Sequence, residues 1–184
     1  MKCQGLSQGY VMTVFVAGVH GVGKSYLCRK YASEHGVLHE SASALINKER
    51  SSSSWGNDKR VRNVDENQFA LKNAVDRIIS DGSTLLLDGH FVLIGPECEF
   101  IYLPVFTFSD LHISAVVLVE NSPSIVLDRL KARDSIGAVV DVTEFLKAER
   151  FQAELVCKNL DVPLFVLDAP DYDEFSCVIR PLLV

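Results

Sequence analysis

The chain has 184 residues, 48% of them apolar and 23% charged, a balance that fits a folded domain with a sizeable core and excludes a disordered or fibrous chain. Its formal net charge is −6, and its nine arginines are scattered rather than gathered into a basic run, which argues against a partner of long nucleic acid. The five cysteines, Cys3, Cys28, Cys98, Cys157 and Cys177, form no C-x-x-C pair and point to reduced thiols in a cytoplasmic setting.

In chain order, residues 1–10 read as a tail, and the first strand is expected over Val11–Ala17. The apolar run Val11–Val19 could pass for a signal-peptide core, but no small-residue cleavage site follows and His20 and Lys24 end it. No stretch approaches the roughly 18 apolar residues of a membrane helix, so neither export nor membrane association is expected. Helices follow over Lys24–Glu34, Ala42–Arg50 and Asp65–Ser80, with a strand at Gly36–His39 between the first two. Asp65 and Gln68 make a candidate capping pair, and the serine run in 51–58 reads as a loop.

Further strands are expected over Thr84–Asp88, Ile113–Val119 and Pro163–Leu167. Helices are expected over Ser124–Ala132, Val142–Leu160 and Tyr172–Ile179, with Pro123 in a first turn and Asp141 as a cap. The stretch 89–110 reads as irregular because Gly95, Pro96 and Pro104 break it. Strands alternating with helices predict an α/β domain with a parallel sheet, whose crossovers are helical.

Directly after the first strand, Gly18–Ser25 reads G-V-H-G-V-G-K-S, the pattern of a phosphate-binding loop. Its glycines let consecutive backbone N–H groups curl around a polyphosphate at the positive end of the next helix. Gly18, Gly21, Val22, Gly23, Lys24, Ser25 and Tyr26 form the expected ATP-binding segment. Lys24 would reach the β- and γ-phosphates, and the Ser25 hydroxyl would ligate Mg²⁺. His20 fills a variable position of the motif and receives no role. No G-x-G-x-x-G occurs, so a dinucleotide fingerprint is excluded.

Asp88 ends a strand where open α/β sheets place their ligand crevice, and there it can hold Mg²⁺ through water or simply begin a turn before Gly89. His90 could orient Asp88 or a phosphate, or pack at the crevice edge. Arg129 and Arg133 lie four apart on one helix face, Arg150 follows beyond a short segment, and Arg60 and Arg62 precede the 65–80 helix. Converging arginines suit phosphoryl transfer, which spreads negative charge over equatorial oxygens. A monophosphate acceptor needs no general base at neutral pH, whereas a hydroxyl acceptor would need one, with Asp88 the candidate.

The loop, the L-L-L-D-G-H-F segment, Tyr102–Pro104, the D-R-L-K-A-R-D stretch (Asp128–Asp134) and the E-R-F-Q-A stretch (Glu149–Ala153) together resemble the short-lid adenylate kinases of the archaeal type. They also resemble the related dual adenylate kinase and ATPase proteins. The resemblance spans about Val11–Val166. It implies a single three-layer P-loop kinase domain over 1–184, with a five-stranded parallel sheet in the order 2-3-1-4-5, an acceptor-binding region near 40–64 and a short lid near 133–141.

By the same resemblance, Arg129 covers the ATP base, Arg133 contacts its phosphates, Arg150 faces the transferring group, and the K-R-V-R-N stretch (Lys59–Asn63) looks like the region that receives the monophosphate, with Arg62 the closer match. Arg60, Asp88 and His90 are the further acceptor-binding candidates. Gly89 stands where the family carries a larger residue. The function this implies is ATP- and Mg²⁺-dependent transfer to a nucleoside monophosphate. Two alternatives stay open: a kinase acting on the hydroxyl of a nucleoside or nucleic-acid 5′ end, and an ATPase switch that regulates a protein partner.

Overall fold

The uninterrupted apolar runs 13–17, 85–88 and 115–119 bury both their faces by joining one five-stranded parallel sheet between two helical layers, whereas the edge run 164–168 stays largely exposed. The computed structural model describes residues 11–52, 64–133 and 141–183. Its elements are β1 (Thr13–Ala17), α1 (Lys24–His35), β2 (Leu38–Ser41), α2 (Ala42–Ser52), α3 (Val64–Ser80), β3 (Leu85–Asp88), β4 (Val92–Ile94) and β5 (Phe100–Tyr102). There follow α4 (Phe106–Ser109), β6 (Ile113–Glu120), α5 (Pro123–Arg133), α6 (Val142–Leu160), β7 (Leu164–Asp168) and α7 (Tyr172–Ile179), with a 3₁₀ turn at Arg180–Leu182.

The sheet runs β2-β3-β1-β6-β7. Counted within the sheet alone this is 2-3-1-4-5; in whole-chain numbering its last two strands are β6 and β7 because a hairpin intervenes. Period-two alternation splits the core into two. Val14 and Val16 join Leu27, Tyr31, Phe145 and Phe175 beneath α1, α6 and α7. Phe15 and Ala17 point the other way, to Leu45, Leu71, Val75 and Val156 of α2, α3 and α6. Each large side chain so buried contributes about 1.5–3 kcal/mol, and Phe15→Ala would cost about 3–5 kcal/mol once its cavity is counted.

Helix ends follow local chemistry. Gly36 closes α1 in the left-handed region at φ 67°, donating its N–H to Ala32 O, so β2 starts two residues later than the expected Gly36. The Asp141 carboxylate accepts from the N–H groups of Thr143 and Glu144 at the start of α6. α3 begins at Val64, which places Asp65 inside its first turn rather than at the cap.

The segment 89–110 departs most from expectation. It contains the antiparallel hairpin β4–β5, with Val92 opposite Tyr102 and Ile94 opposite Phe100, and then the short α4. Three-residue strands are too short to show periodicity, so Gly95 and Pro96 read as a break although they form the hairpin turn. Among the described residues, no helix is long and apolar enough to cross a membrane.

Candidate active site at the carboxyl end of the sheet

All five strands end on the same edge, and the loop after β1 crosses it. Gly18 opens that loop at φ 144°, where a Cβ would sit 2.3 Å from Val119 O, so only glycine lets the chain pass between β1 and β6. Gly23, at φ 111°, turns the loop into α1. Lys24 is buried, and its Nζ lies 3.3 Å from Nε2 of His90, to which it donates.

Next to it, the Ser25 hydroxyl donates to Asp88 Oδ1 at 3.2 Å, while His39 Nε2 donates to Oδ2 at 2.8 Å. Asp88 is only 4% exposed, so these two donors largely fix its orientation. Sequence reading passed over His39. Yet β2 lies beside β3 with Ser41 opposite Asp88, and His39, two residues back, shares the face of Ser41.

His90 accepts from an ammonium group and is held well below the ordinary imidazole range, first by burial and then by the charges of Lys24 and His20. It is therefore neutral at pH 7. Its ring packs against His20, with centroids 4.0 Å apart.

Glu149 was also missed. It is 1% exposed and receives four backbone contacts from two separate loops: Gly18 N–H at 3.2 Å, Phe91 N–H at 3.0 and 3.1 Å, and Val92 N–H at 2.7 Å. Burial pushes its carboxyl up to about 7, against the opposing pull of these N–H groups and of Lys24. One buried carboxylate thus ties the start of the phosphate loop to the segment after Asp88.

The arginines separate. Arg129 donates through Nη1 to the carbonyls of Gly21 (2.8 Å) and Val22 (3.1 Å), bracing the loop from outside. Arg150 is turned about 100° from Glu149 around α6 and pairs with Glu120, with Nε to Oε1 at 2.8 Å and a second contact through Nη2. It lines a cleft of about 530 Å³ between the ends of β6 and β7, together with Lys147 and Asp168. The Arg133 side chain, Arg60, Arg62 and the lid stretch 134–140 lie outside the described residues.

Two cavities flank the phosphate loop. One, about 350 Å³, is bounded by the loop, Lys24, Ser25, the exposed ring of Tyr26 and Arg129. The other, about 380 Å³, lies between α2, α3 and α4, floored by Phe15, Leu71 and Phe108 and closed at its inner end by Asp88, Gly89 and His90. On its walls, Gln68 Nε2 and Thr107 Oγ1 are buried without a hydrogen-bond partner. Native interiors rarely leave such atoms unpaired unless a ligand or water completes them.

Residues 17–147 match the family model for the AAA domain. No curated protein matches the chain. Among solved structures, a Chloroflexus aurantiacus protein provisionally assigned as a kinase aligns over 95% of this chain and 96% of its own, with 17% identity and a TM-score of 0.58. The YorR protein of Bacillus subtilis, solved with phosphorylated GDP, aligns over 93% and 95% with 15% identity and a TM-score of 0.54. Shikimate kinase from Bacteroides thetaiotaomicron aligns over 93% and 96%, with 15% identity and a TM-score of 0.52. At these identities the likeness is one of fold.

Proposed function

The chain belongs to the AAA domain family, and from that premise we propose that it is an ATP- and Mg²⁺-dependent phosphotransferase whose acceptor is a nucleoside monophosphate. The observation that carries the reading is the second cavity. It meets the phosphate loop at His20, is lined there by Asp88 and His90, the partners of Ser25 and Lys24, and its aromatic floor and unpaired Gln68 and Thr107 suit a flat base with polar edges.

Ser25 Oγ and Asp88 Oδ1 lie 3.2 Å apart beside Lys24, two hard oxygens of the kind Mg²⁺ takes while keeping phosphate and water as its other ligands. When bound there, the ion would neutralise charge on the β- and γ-phosphates. The protein's own residues do the rest. The loop N–H groups and the α1 N-terminus receive the polyphosphate, and Lys24 supplies a buried positive charge to the transferring group. His39 and Ser25 keep Asp88 in one orientation, and neutral His90 gives Lys24 a partner without neutralising it. Arg60, Arg62 and Arg133 would bring further positive charge from the adjoining segments.

Incubating the protein with ATP, Mg²⁺ and each nucleoside monophosphate, with products separated by anion-exchange chromatography, tests the reading. A diphosphate is expected from at least one of them, and none from any would overturn it. The His39–Asp88 pair favours a second reading, a hydroxyl acceptor whose proton Asp88 takes. In that case Asp88→Asn would abolish turnover at saturating Mg²⁺, and the product would be a monoester.

A further inference from the structure

The second cavity has two chemically different ends. Ala42 stands at the inner one, where a Cβ on Gly89 would lie 3.5 Å from Ala42 Cβ, and Asp88 there already accepts from Ser25 and His39. Along α2 the lining continues through Ile46 and Asn47 to Arg50, whose backbone a rise of about 1.5 Å per residue places roughly 12 Å from Ala42. For transfer, the phosphate of an acceptor must lie at the inner end, nearest Lys24 and the phosphate loop. Its base then extends toward Arg50.

Arg50 is exposed at that outer end, and its Nη1 donates to Asn67 Oδ1 at 3.0 Å, bridging α2 and α3. A guanidinium carries N–H donors and no acceptor, so the Asn67 oxygen must face it, and the Asn67 amide nitrogen turns away as a donor. Among the described residues the partner of Arg50 is this uncharged amide, so the guanidinium keeps its charge and its other N–H groups. On the same wall, Gln68 Nε2 is a further donor, buried without a partner. Asn47 carries both an acceptor and a donor and so favours neither kind of ligand edge. The outer end is therefore positive and rich in donors. A carbonyl oxygen suits it, whereas an exocyclic amino group would set donor against donor.

We infer that the outer end of this cavity selects nucleotides whose base carries an oxo group where adenine and cytosine carry an amino group, with Arg50 as the specificity-determining residue. The inference rests on the nucleoside monophosphate reading above.

The test measures binding of IMP, AMP, UMP and CMP to the full chain by isothermal titration calorimetry, because IMP differs from AMP, and UMP from CMP, by this exchange of oxo for amino. Wild type should bind IMP and UMP about tenfold or more tightly than AMP and CMP. Arg50→Ala should bring each pair within about twofold by weakening IMP and UMP, while an unchanged AMP affinity reports an intact fold. Arg50→Lys, which keeps the charge without the planar fork, should recover only part of the preference. Equal affinities in wild type, or tighter binding of the amino bases, overturn the inference and leave the acceptor reading standing. So does a preference that survives Arg50→Ala, or a variant that weakens all four alike, since Arg50 would then hold the phosphate and not the base. If none of the four binds, the inference and the acceptor reading fall together. If the oxo preference appears but no monophosphate yields a diphosphate, the phosphotransfer reading falls and the base preference stands.

Discussion

Glu149 is the group whose removal tests the site's construction most directly. It is 1% exposed and is the acceptor for three backbone N–H groups, of Gly18, Phe91 and Val92. Leaving a buried donor unpaired costs about 1–3 kcal/mol, so Glu149→Ala would remove about 3 kcal/mol or more, a large part of a typical domain's 5–15 kcal/mol. Glu149→Gln is milder because one oxygen remains, and it removes the titration.

The sign of that titration follows from its direction. The folded value is raised to about 7 from 4.5, so the proton is bound more tightly in the folded state. The resulting stability is fully present below 4.5 and is lost as pH rises through about 7. Between about pH 8.5 and 5.5, wild type should gain about 2 kcal/mol from this group. His90 acts oppositely in the same window, because its folded value is depressed and the unfolded chain takes up the proton first. Glu49 and Asp76 are both lowered, so their contributions are lost only at lower pH.

Urea unfolding of wild type and Glu149→Gln at both pH values cancels the His90 contribution in the difference. Wild type is expected to lead its variant by about 2 kcal/mol more at the lower pH. A difference that does not move with pH would refute the assignment of Glu149 as the buried, titrating tie.

Gly18→Ala puts a Cβ 2.3 Å from Val119 O at φ 144°, so thermal unfolding should show a loss of several kcal/mol, in the range of severe core variants. Thr107→Val replaces a buried, unpaired hydroxyl with a methyl; the melting temperature should hold or rise, while the KM for the acceptor rises about tenfold. Lys24→Met should lower kcat by about a hundredfold or more, and EDTA should stop turnover until Mg²⁺ is restored, both read by ADP release.

The phosphate loop was legible because its chemistry is contiguous: backbone curvature, lysine and hydroxyl sit within eight residues, and the flanking strand and helix have clear periods. Asp88 was legible as a strand-end carboxylate. His39 and Glu149 were not, since each acquires its role from an element distant in the chain. His39 needed the β2–β3 register and Glu149 needed the packing of α6 under two loops. The E-R-F-Q-A stretch drew notice to Arg150, and one step of helical rotation separates it from Glu149, whose carboxylate meets the phosphate loop. The β4–β5 hairpin stayed hidden because its strands show no period, and its place is set by tertiary cover from α6.

Gly89, between Asp88 and His90, is a position where a Cβ would lie 2.7 Å from Cζ of Phe15. Phe15 itself is wedged edge-on against Phe91 and Phe108 and floors the second cavity. The two positions are therefore sterically coupled: a side chain can grow at 89 only if the one at 15 shrinks or shifts. Changing either alone loses stability through overpacking or a cavity, whereas exchanging bulk between them re-cuts the cavity floor at nearly constant volume. The glycine in D-G-H thereby becomes a handle for altering which acceptor is accommodated.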